Sequence, residues 1–256
     1  RGRSRGGAEA DPGTTDAGSP RQSLYVMDVA AGTHKVLVDA NDFLHGAKET
    51  LSAEQKARRE RQRTQGQGFT AFELLPGQDK VLLTLADRMA FVDVPSGRVT
   101  PIVETSAPPG APAPLDAKVS PDARWVSFVR QGELFVLPAE GGVARPLTRG
   151  ADELHEHATA EFVAQEEMDR FTGYWWSPDS RFIVYQVTDQ SAVERLHIGD
   201  PASPESAAPT VPYPRPGKPN AAVTLELVRV DSIDASRPGK AGPRAGAPSA
   251  RSFGAR

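Results

Sequence analysis

The sequence contains no cysteine among its 256 residues. A disulfide framework, a thiol nucleophile and a cysteine-ligated zinc site are therefore excluded, although this absence does not settle the compartment. No uninterrupted apolar run approaches the roughly 20 residues that span a bilayer, so we expect no membrane-spanning helix. Residues Arg1 to Gly7 lack both the apolar centre of a signal peptide and an initiator methionine. We therefore expect the chain to be a piece of a longer one.

The chain also lacks an excess of charge of either sign, with 30 Lys and Arg against 33 Asp and Glu. Residues 232–256 are basic, but they lack the interleaved aromatic side chains of a single-strand binder. We interpret them as a solvated tail rather than a nucleic-acid arm, and we expect no nucleic-acid partner. Residues 1–21 and 232–256 have almost no large apolar side chains, so we predict that both ends are disordered and that residues 22–231 fold.

Turn-forming residues are plentiful, with 23 Gly and 23 Pro. Helix bundles seldom carry so many, so short elements are expected. Between the turns lie alternating or wholly apolar runs of about five residues, the usual length of a strand. Successive runs form hairpin patterns, which predict an all-β fold. The runs are Leu24–Val29, Lys35–Val38, Val81–Leu85, Met89–Val94, Trp125–Val129, Leu134–Leu137 and Phe182–Val187.

A Ser-Pro-Asp-x-Arg turn precedes two of the predicted strands, beginning at Ser120 and at Ser177, and a weaker copy contains Pro76. Proline presets φ at the second position of such a turn, and polar residues after it tolerate turn conformations. The spacings of about 45 and about 57 residues suit four-stranded blades, the second with an insertion. We predict a partial β-propeller of about four blades, with a short basic helical insertion and an acidic insertion.

The basic insertion runs from Leu51 to Arg63. Ser52 and Gln55 have the spacing of a capping box, which predicts a helix that begins there. This helix has almost no apolar face, so we do not expect it in a core. Two interpretations stay open: a solvated surface helix, or a helix that directs arginines into a cavity to hold carbonyl or carboxylate groups.

The acidic insertion places Glu166 beside Glu167 and is followed by aromatic residues that include Tyr174 and Trp175. The pair of glutamates is either a solvated acidic turn or a site for a ligand ammonium, because two carboxylates can share the three N–H donors of one –NH₃⁺ group. The aromatic side chains are interpreted first as packing between sheets and second as the wall of a cavity.

A third cluster, His155-Glu156-His157, offers two imidazoles on one face of a strand and is a conceivable metal site. With no further candidate ligand nearby except Asp152 or Glu153, we interpret it as a solvated loop and predict no metal site and no cofactor.

Together these stretches resemble the dipeptidyl peptidase IV family of serine peptidases, in particular its bacterial and cytosolic branches. The specific match is Phe162–Asp179, FVAQEEMDRFTGYWWSPD, and Leu51–Arg61 and Tyr213–Ala221 support it. The resemblance implies an N-terminal propeller that caps an α/β-hydrolase domain. It also implies an enzyme that removes dipeptides from the N-terminus of peptides in which the second residue is Pro or Ala. It also implies a parent enzyme of the bacterial periplasm or cytoplasm and is compatible with a homodimer.

Carried over residue by residue, the resemblance implies that Glu166 and Glu167 bind the α-ammonium group of a peptide substrate. It implies that Arg59 or Arg61 contacts a substrate carbonyl, although the sequence after Arg63 departs from the family pattern. An ammonium anchor at a fixed distance from the nucleophile would place the scissile bond after the second residue of the peptide. Tyr174 and Trp175 are the candidates for the cavity wall.

The catalytic serine of the family lies in a G-x-S-x-G turn between a strand and a helix. The one literal match here, around Ser4, sits in a charged, Gly-rich terminus, and we interpret it as accidental. We therefore predict the propeller portion of a dipeptidyl aminopeptidase, without the Ser-Asp-His domain and inactive alone. The alternative is a stand-alone propeller that binds proteins or peptides. An independent hydrolase would need Ser4.

Overall fold

The computed structural model describes residues 21–64, 66–75, 77–199 and 210–230. The tails predicted to be disordered lie outside the described residues, except for Arg21, whose Nη1 donates to Asn41 Oδ1 at 2.7 Å. Ser4 and Pro76 also lie outside them.

The described part is mostly β-structure, in several small antiparallel sheets with three short helices. The helices are α1 (Ala40–Phe43), α2 (Ala53–Arg61) and α3 (Phe162–Glu167). The strands are β1 (Leu24–Asp28), β2 (Thr33–Val38), β3 (Phe72–Leu74), β4 (Lys80–Leu85), β5 (Arg88–Asp93), β6 (Val99–Pro101), β7 (Leu115–Val119), β8 (Trp125–Arg130), β9 (Glu133–Pro138), β10 (Arg145–Pro146), β11 (His155–His157), β12 (Tyr174–Trp176), β13 (Phe182–Asp189), β14 (Arg195–His197), β15 (Thr210–Pro212) and β16 (Ala222–Arg229). None of the described helices is long and apolar enough to cross a membrane.

The hairpins expected from the sequence are present. β1 pairs with β2, β4 with β5 and β8 with β9, each antiparallel. The turns use residues that accept a positive φ, such as Gly32 (φ 66°) and Gly132 (φ 68°). Because these strands coincide with the apolar runs within one or two residues, the prediction of strands there is confirmed.

Two four-stranded sheets, β3-β4-β5-β6 and β7-β8-β9-β10, contain central strands buried on both faces. On β4, Leu83 belongs to a core shared with α1, whereas Leu82 packs into a second core with Phe128 of β8. On β9, Leu134 faces a third core formed with β12 and β13. Three sheets therefore follow one another, with a layer of apolar side chains between neighbouring sheets. The central strands are apolar along nearly their whole length because both of their faces are buried.

The last sheet has β13 at its centre, with β11 and β12 along one edge and β16 along the other. β14 and β15 form a separate two-stranded antiparallel sheet.

The repeated Ser-Pro-Asp turn has the same hydrogen bonds in both copies. Ser120 Oγ accepts from the Trp125 amide at 3.0 Å, and Ser177 Oγ accepts from the Phe182 amide at 2.9 Å. Each serine also donates to the aspartate two residues later. The Asp122 amide donates to Ser180 Oγ at 2.9 Å, so the turn of one sheet is tied to the turn of the next.

Candidate functional site

The glutamate pair lies on a helix rather than in a turn. α3 buries Ala164 and Gln165 and exposes Glu166 and Glu167 at its C-terminal end. Sequence analysis did not predict this helix, because Glu161 at the N-cap is not a capping residue and makes no side-chain capping bond. The C-terminal end of a helix carries a partial negative charge, and the last turn of α3 has no basic residue. Two carboxylates at this end therefore favour a nearby cation.

A polar network fixes α3 against β13. Arg170 donates to Glu161 Oε2 at 3.0 Å and to Gln186 Oε1 at 2.9 Å, and Gln186 Nε2 donates to the same Glu161 oxygen at 2.8 Å. The Arg170 amide donates to the Ala164 carbonyl at 3.0 Å, which closes the C-terminal end of the helix. Because Gln186 is almost wholly buried, these bonds act in a medium of low dielectric and hold the glutamates on a rigid support.

Arg61 of α2 joins the basic helix to α3. Its Nη1 donates to Gln165 Oε1 at 3.0 Å, its Nε lies 3.8 Å from Glu166 Oε1, and its guanidinium lies 5.4 Å from the centre of the Phe162 ring. α2 begins as predicted, with Ser52 and Gln55 in a reciprocal capping box. The structure therefore brings Arg61 and the glutamate pair together from two insertions more than 100 positions apart.

Arg59 contacts Glu49 and not the glutamate pair of α3. It forms an ion pair with the nearly buried Glu49 at 2.5 Å and donates to the carbonyls of Gly66 and Gly68, each at 3.2 Å. Glu49 in turn accepts from the Gly68 amide at 2.8 Å. The donors of the Arg59 guanidinium are therefore occupied by Glu49 and by carbonyls of the loop that follows α2.

Arg58 shares the inner face of α2 with Arg61, although it was not among the candidate residues. It donates to the Phe171 carbonyl at 2.9 Å, stacks over the Phe171 ring at 5.4 Å and lies 3.6 Å from Asp116. Residues three apart on a helix lie on the same side, so Arg58 and Arg61 share one face of α2. Arg59 is two positions from Arg61 and therefore lies on a different face. This spacing was a usable signal for choosing Arg58 with Arg61.

Glu156 adds a further carboxylate near Arg61. Burial raises its pKa most, the charge of Glu54 raises it further, and Arg61 lowers it. The pKa of Glu54 is also raised by desolvation although the side chain is accessible, which is typical of a group inside a concave surface. Neither residue was predicted as part of the site, since they come from different elements and share no motif with Glu166.

The two aromatic candidates, Tyr174 and Trp175, differ in burial. Tyr174 is fully buried in the third core, and its OH lies within hydrogen-bonding distance of the Asp116 and Ser127 carbonyls. The packing interpretation describes it, and burial removes it from any open cavity wall, which corrects that assignment. Trp175 is 41% exposed, opposite Val184 of β13.

Beside Tyr174 lies a charged cluster on β7. Lys118 Nζ donates to the Tyr174 carbonyl at 2.7 Å and lies 3.3 Å from Asp116 Oδ2. Burial lowers the pKa of Lys118, while Asp116 and Glu73 oppose that shift. Arg58, Glu73, Asp116 and Lys118 line a cleft of about 320 Å³ between α2 and the first strands of two sheets.

The His155-Glu156-His157 segment forms β11 rather than a loop. His155 Nδ1 lies 2.8 Å from Asp152 Oδ1, and His157 Nδ1 lies 2.9 Å from Glu133 Oε2, so each imidazole has its own carboxylate partner. In the described part of the chain, no group of three or more His, Cys, Asp or Glu side chains is placed to hold a metal ion.

Comparison with known proteins gives the family. Residues 82–243 match the sequence profile described as "Dipeptidyl peptidase IV (DPP IV) N-terminal region". The chain is 28% identical over 203 residues to "Dipeptidyl peptidase 8" of Mus musculus, covering 70% of the chain and 22% of that protein. It is 31% identical over 151 residues to "Dipeptidyl peptidase 8" of Homo sapiens, covering 52% and 16%.

A third relative is "Probable dipeptidyl-aminopeptidase B" of Penicillium rubens, 28% identical over 148 residues, with 51% of the chain and 16% of that protein covered. The chain thus spans about a fifth or less of the length of these relatives. The profile covers well over half of the 256 residues. The chain therefore belongs to the family of the dipeptidyl peptidase IV N-terminal region.

Proposed function

We propose that this chain is the N-terminus-binding part of a dipeptidyl aminopeptidase propeller, of the bacterial and cytosolic kind. In this proposal Glu166 and Glu167 bind the α-ammonium group of a peptide. One observation carries it: Glu166 and Glu167 are both exposed in the last turn of α3, and Glu167 has no ion-pair partner among the described residues.

The chemistry of the two glutamates fits an ammonium group better than a guanidinium group. Arg61 already lies 3.8 Å from Glu166, so one carboxylate is partly neutralised while Glu167 is left for the ligand. Three N–H donors on one nitrogen can be divided between two neighbouring carboxylates, with charge assistance on each bond. An N-acylated peptide has no charge there and would leave both carboxylates unpaired, which rejects it.

Arg61 is the stronger of the two arginine candidates for a substrate carbonyl. Its side chain is 32% exposed, compared with 15% for Arg59, whose donors already contact Glu49 and loop carbonyls. In this proposal Arg61 both orients Glu166 and offers donors to the peptide backbone.

A partial β-propeller is the arrangement that the sheets support best. Two four-stranded antiparallel sheets run in chain order and the next sheet packs on the second. A hydrogen bond from the Asp122 amide to Ser180 Oγ links the serine turns of these last two sheets. The first strands β3 and β7 approach each other, because the Val119 amide donates to Glu73 Oε1 at 3.0 Å. In this proposal, removal of the dipeptide belongs to the parent enzyme.

The experiment compares binding of Ala-Pro-amide by the chain and by Glu166→Gln and Glu167→Gln, measured by isothermal titration calorimetry. Each change is expected to weaken binding by about tenfold or more, because it removes one charged acceptor while keeping the shape of the side chain. Glu140→Gln in an exposed turn is the matched control and should leave affinity unchanged. Equal affinity of all four proteins would overturn the proposed function.

A further inference from the structure

Gln165 is a buried amide with a hydrogen-bond partner at each end. It lies in α3 and is 7% exposed. Its Oε1 accepts from Arg61 Nη1 at 3.0 Å, and its Nε2 donates to the Ala160 carbonyl at 2.5 Å. These partners fix the orientation of the amide, because a guanidinium can only donate and a carbonyl can only accept. The side chain at this position must therefore accept and donate at once, which an ionised carboxylate cannot do.

The bond to Gln165 is the closest polar contact of the Arg61 guanidinium. Arg61 Nε lies 3.8 Å from Glu166 Oε1, which is beyond hydrogen-bonding distance. In the described part of the chain, Nη1 is the only atom of this guanidinium that makes a hydrogen bond. The direction of Arg61 is therefore set by a neutral amide, and the donors on Nε and Nη2 are left for a ligand.

An aromatic pair holds the same guanidinium from a second direction. The guanidinium carbon of Arg61 lies 5.4 Å from the centre of the Phe162 ring, and the Tyr213 ring lies 5.2 Å from that of Phe162. Phe162, Gln165 and Glu166 are three and four positions apart, so they share one face of α3. A planar guanidinium that is bonded at one nitrogen and stacked on a ring keeps little freedom to rotate.

We propose that Gln165 is a positioning residue, which holds Arg61 beside Glu166 so that the free guanidinium donors meet the first carbonyl of a bound peptide. This role rests on the proposed function, in which the ammonium group of the same peptide lies at Glu166 and Glu167, and it belongs to a side chain that does not touch the peptide. The peptide then meets two prearranged groups, because the entropy of ordering Arg61 is lost when the chain folds rather than when the peptide binds.

The test is a double-mutant cycle on the full chain, with binding of Ala-Pro-amide measured by isothermal titration calorimetry. Gln165→Met keeps the length of the side chain and removes the acceptor, and it should weaken binding about fivefold. Arg61→Met should weaken binding about tenfold. Because Gln165 acts through Arg61, the double variant should bind as Arg61→Met alone does, within about twofold. Losses that multiply in the double variant would overturn the role of Gln165.

Two further variants separate the positioning of Arg61 from support of the fold. Ser120→Ala removes a hydroxyl that contacts Asp122 and Trp125 in a turn of another sheet, so it should lower the free energy of unfolding and leave affinity unchanged. Gln165→Asn keeps an amide but withdraws it from Arg61 by one methylene group, so it should also weaken binding. It replaces Gln165→Met in the cycle if that variant does not fold.

The role of Gln165 and the proposed function fail in different ways. Weaker binding by Glu167→Gln, together with natural affinity in Gln165→Met and Gln165→Asn, would overturn the role of Gln165 and leave the proposed function in place. Natural affinity in the glutamate variants, or no binding by the natural chain, would overturn the proposed function and the role of Gln165 with it.

Discussion

Arg170 connects α3 to β13. Its guanidinium contacts Glu161 and Gln186, and its amide closes the helix on Ala164. Arg170→Met is expected to lower the free energy of unfolding by about 2 kcal/mol, because Gln186 Oε1 is left buried without this donor. Urea unfolding followed by tryptophan fluorescence measures this change.

The matched control for that change is Arg124→Met. Arg124 also forms an ion pair, at 2.6 Å with Asp122, but its side chain is 71% exposed. Exposed pairs contribute little, so the expected loss is within about 0.5 kcal/mol. Equal losses for the two variants would contradict the role given to the Arg170 network.

Glu156 makes stability depend on pH. Its pKa is raised in the folded chain by burial and by Glu54, so protonation of this group favours the folded state. Its stabilising contribution is fully present below about pH 4, the ordinary range of a glutamate, and is lost as the pH rises through the raised pKa. Glu156→Gln should therefore raise the free energy of unfolding at pH 7 and have little effect at pH 4.

Measurements of unfolding at the two pH values check this sign. Glu140→Gln serves as the control at an exposed position and should change stability at neither pH. A Glu156→Gln protein that is less stable than the natural chain at pH 7 would show that the carboxylate has a stabilising partner instead.

At the scale of elements, the Ser-Pro-Asp turn explains why the repeat is visible in the sequence. The Ser120 hydroxyl accepts from the Trp125 amide and donates to Asp122, and Ala123 adopts φ 58° between them. Ser120→Ala should lower the free energy of unfolding by about 1–2 kcal/mol, because it leaves the amide that begins β8 without an acceptor. Ser96→Ala, in an exposed turn, should cost only a few tenths.

The strands were predictable and the site only in part. Apolar runs such as Val81–Leu85 coincide with strands because burial on both faces leaves little choice of residue. The capping box at Ser52 likewise identified the start of α2. α3 was missed because no capping side chain marks its start. The role of Arg59 at Glu49 depends on a contact between segments, which no local pattern encodes.

At the scale of the whole molecule, the described sheets pack in series around three apolar cores. They contain no nucleophile elbow, since the one G-x-S-x-G match is at Gly2–Gly6, outside the described residues. The proposed function gives this chain a binding role only, so the purified chain is expected to show no cleavage of a Gly-Pro chromogenic amide. Release of the chromophore above the blank, abolished by Ser4→Ala, would contradict the assignment of a binding role.

The most direct test of the central claim varies the ligand rather than the protein. Calorimetric titration of the natural chain with Ala-Pro-amide should give saturable binding that weakens as salt is added, because the contact is between an ammonium group and the carboxylates of Glu166 and Glu167. N-acetyl-Ala-Pro-amide, identical except for the missing charge, should show no binding. Equal affinity for the two peptides, or no binding of the free amine, would contradict the account.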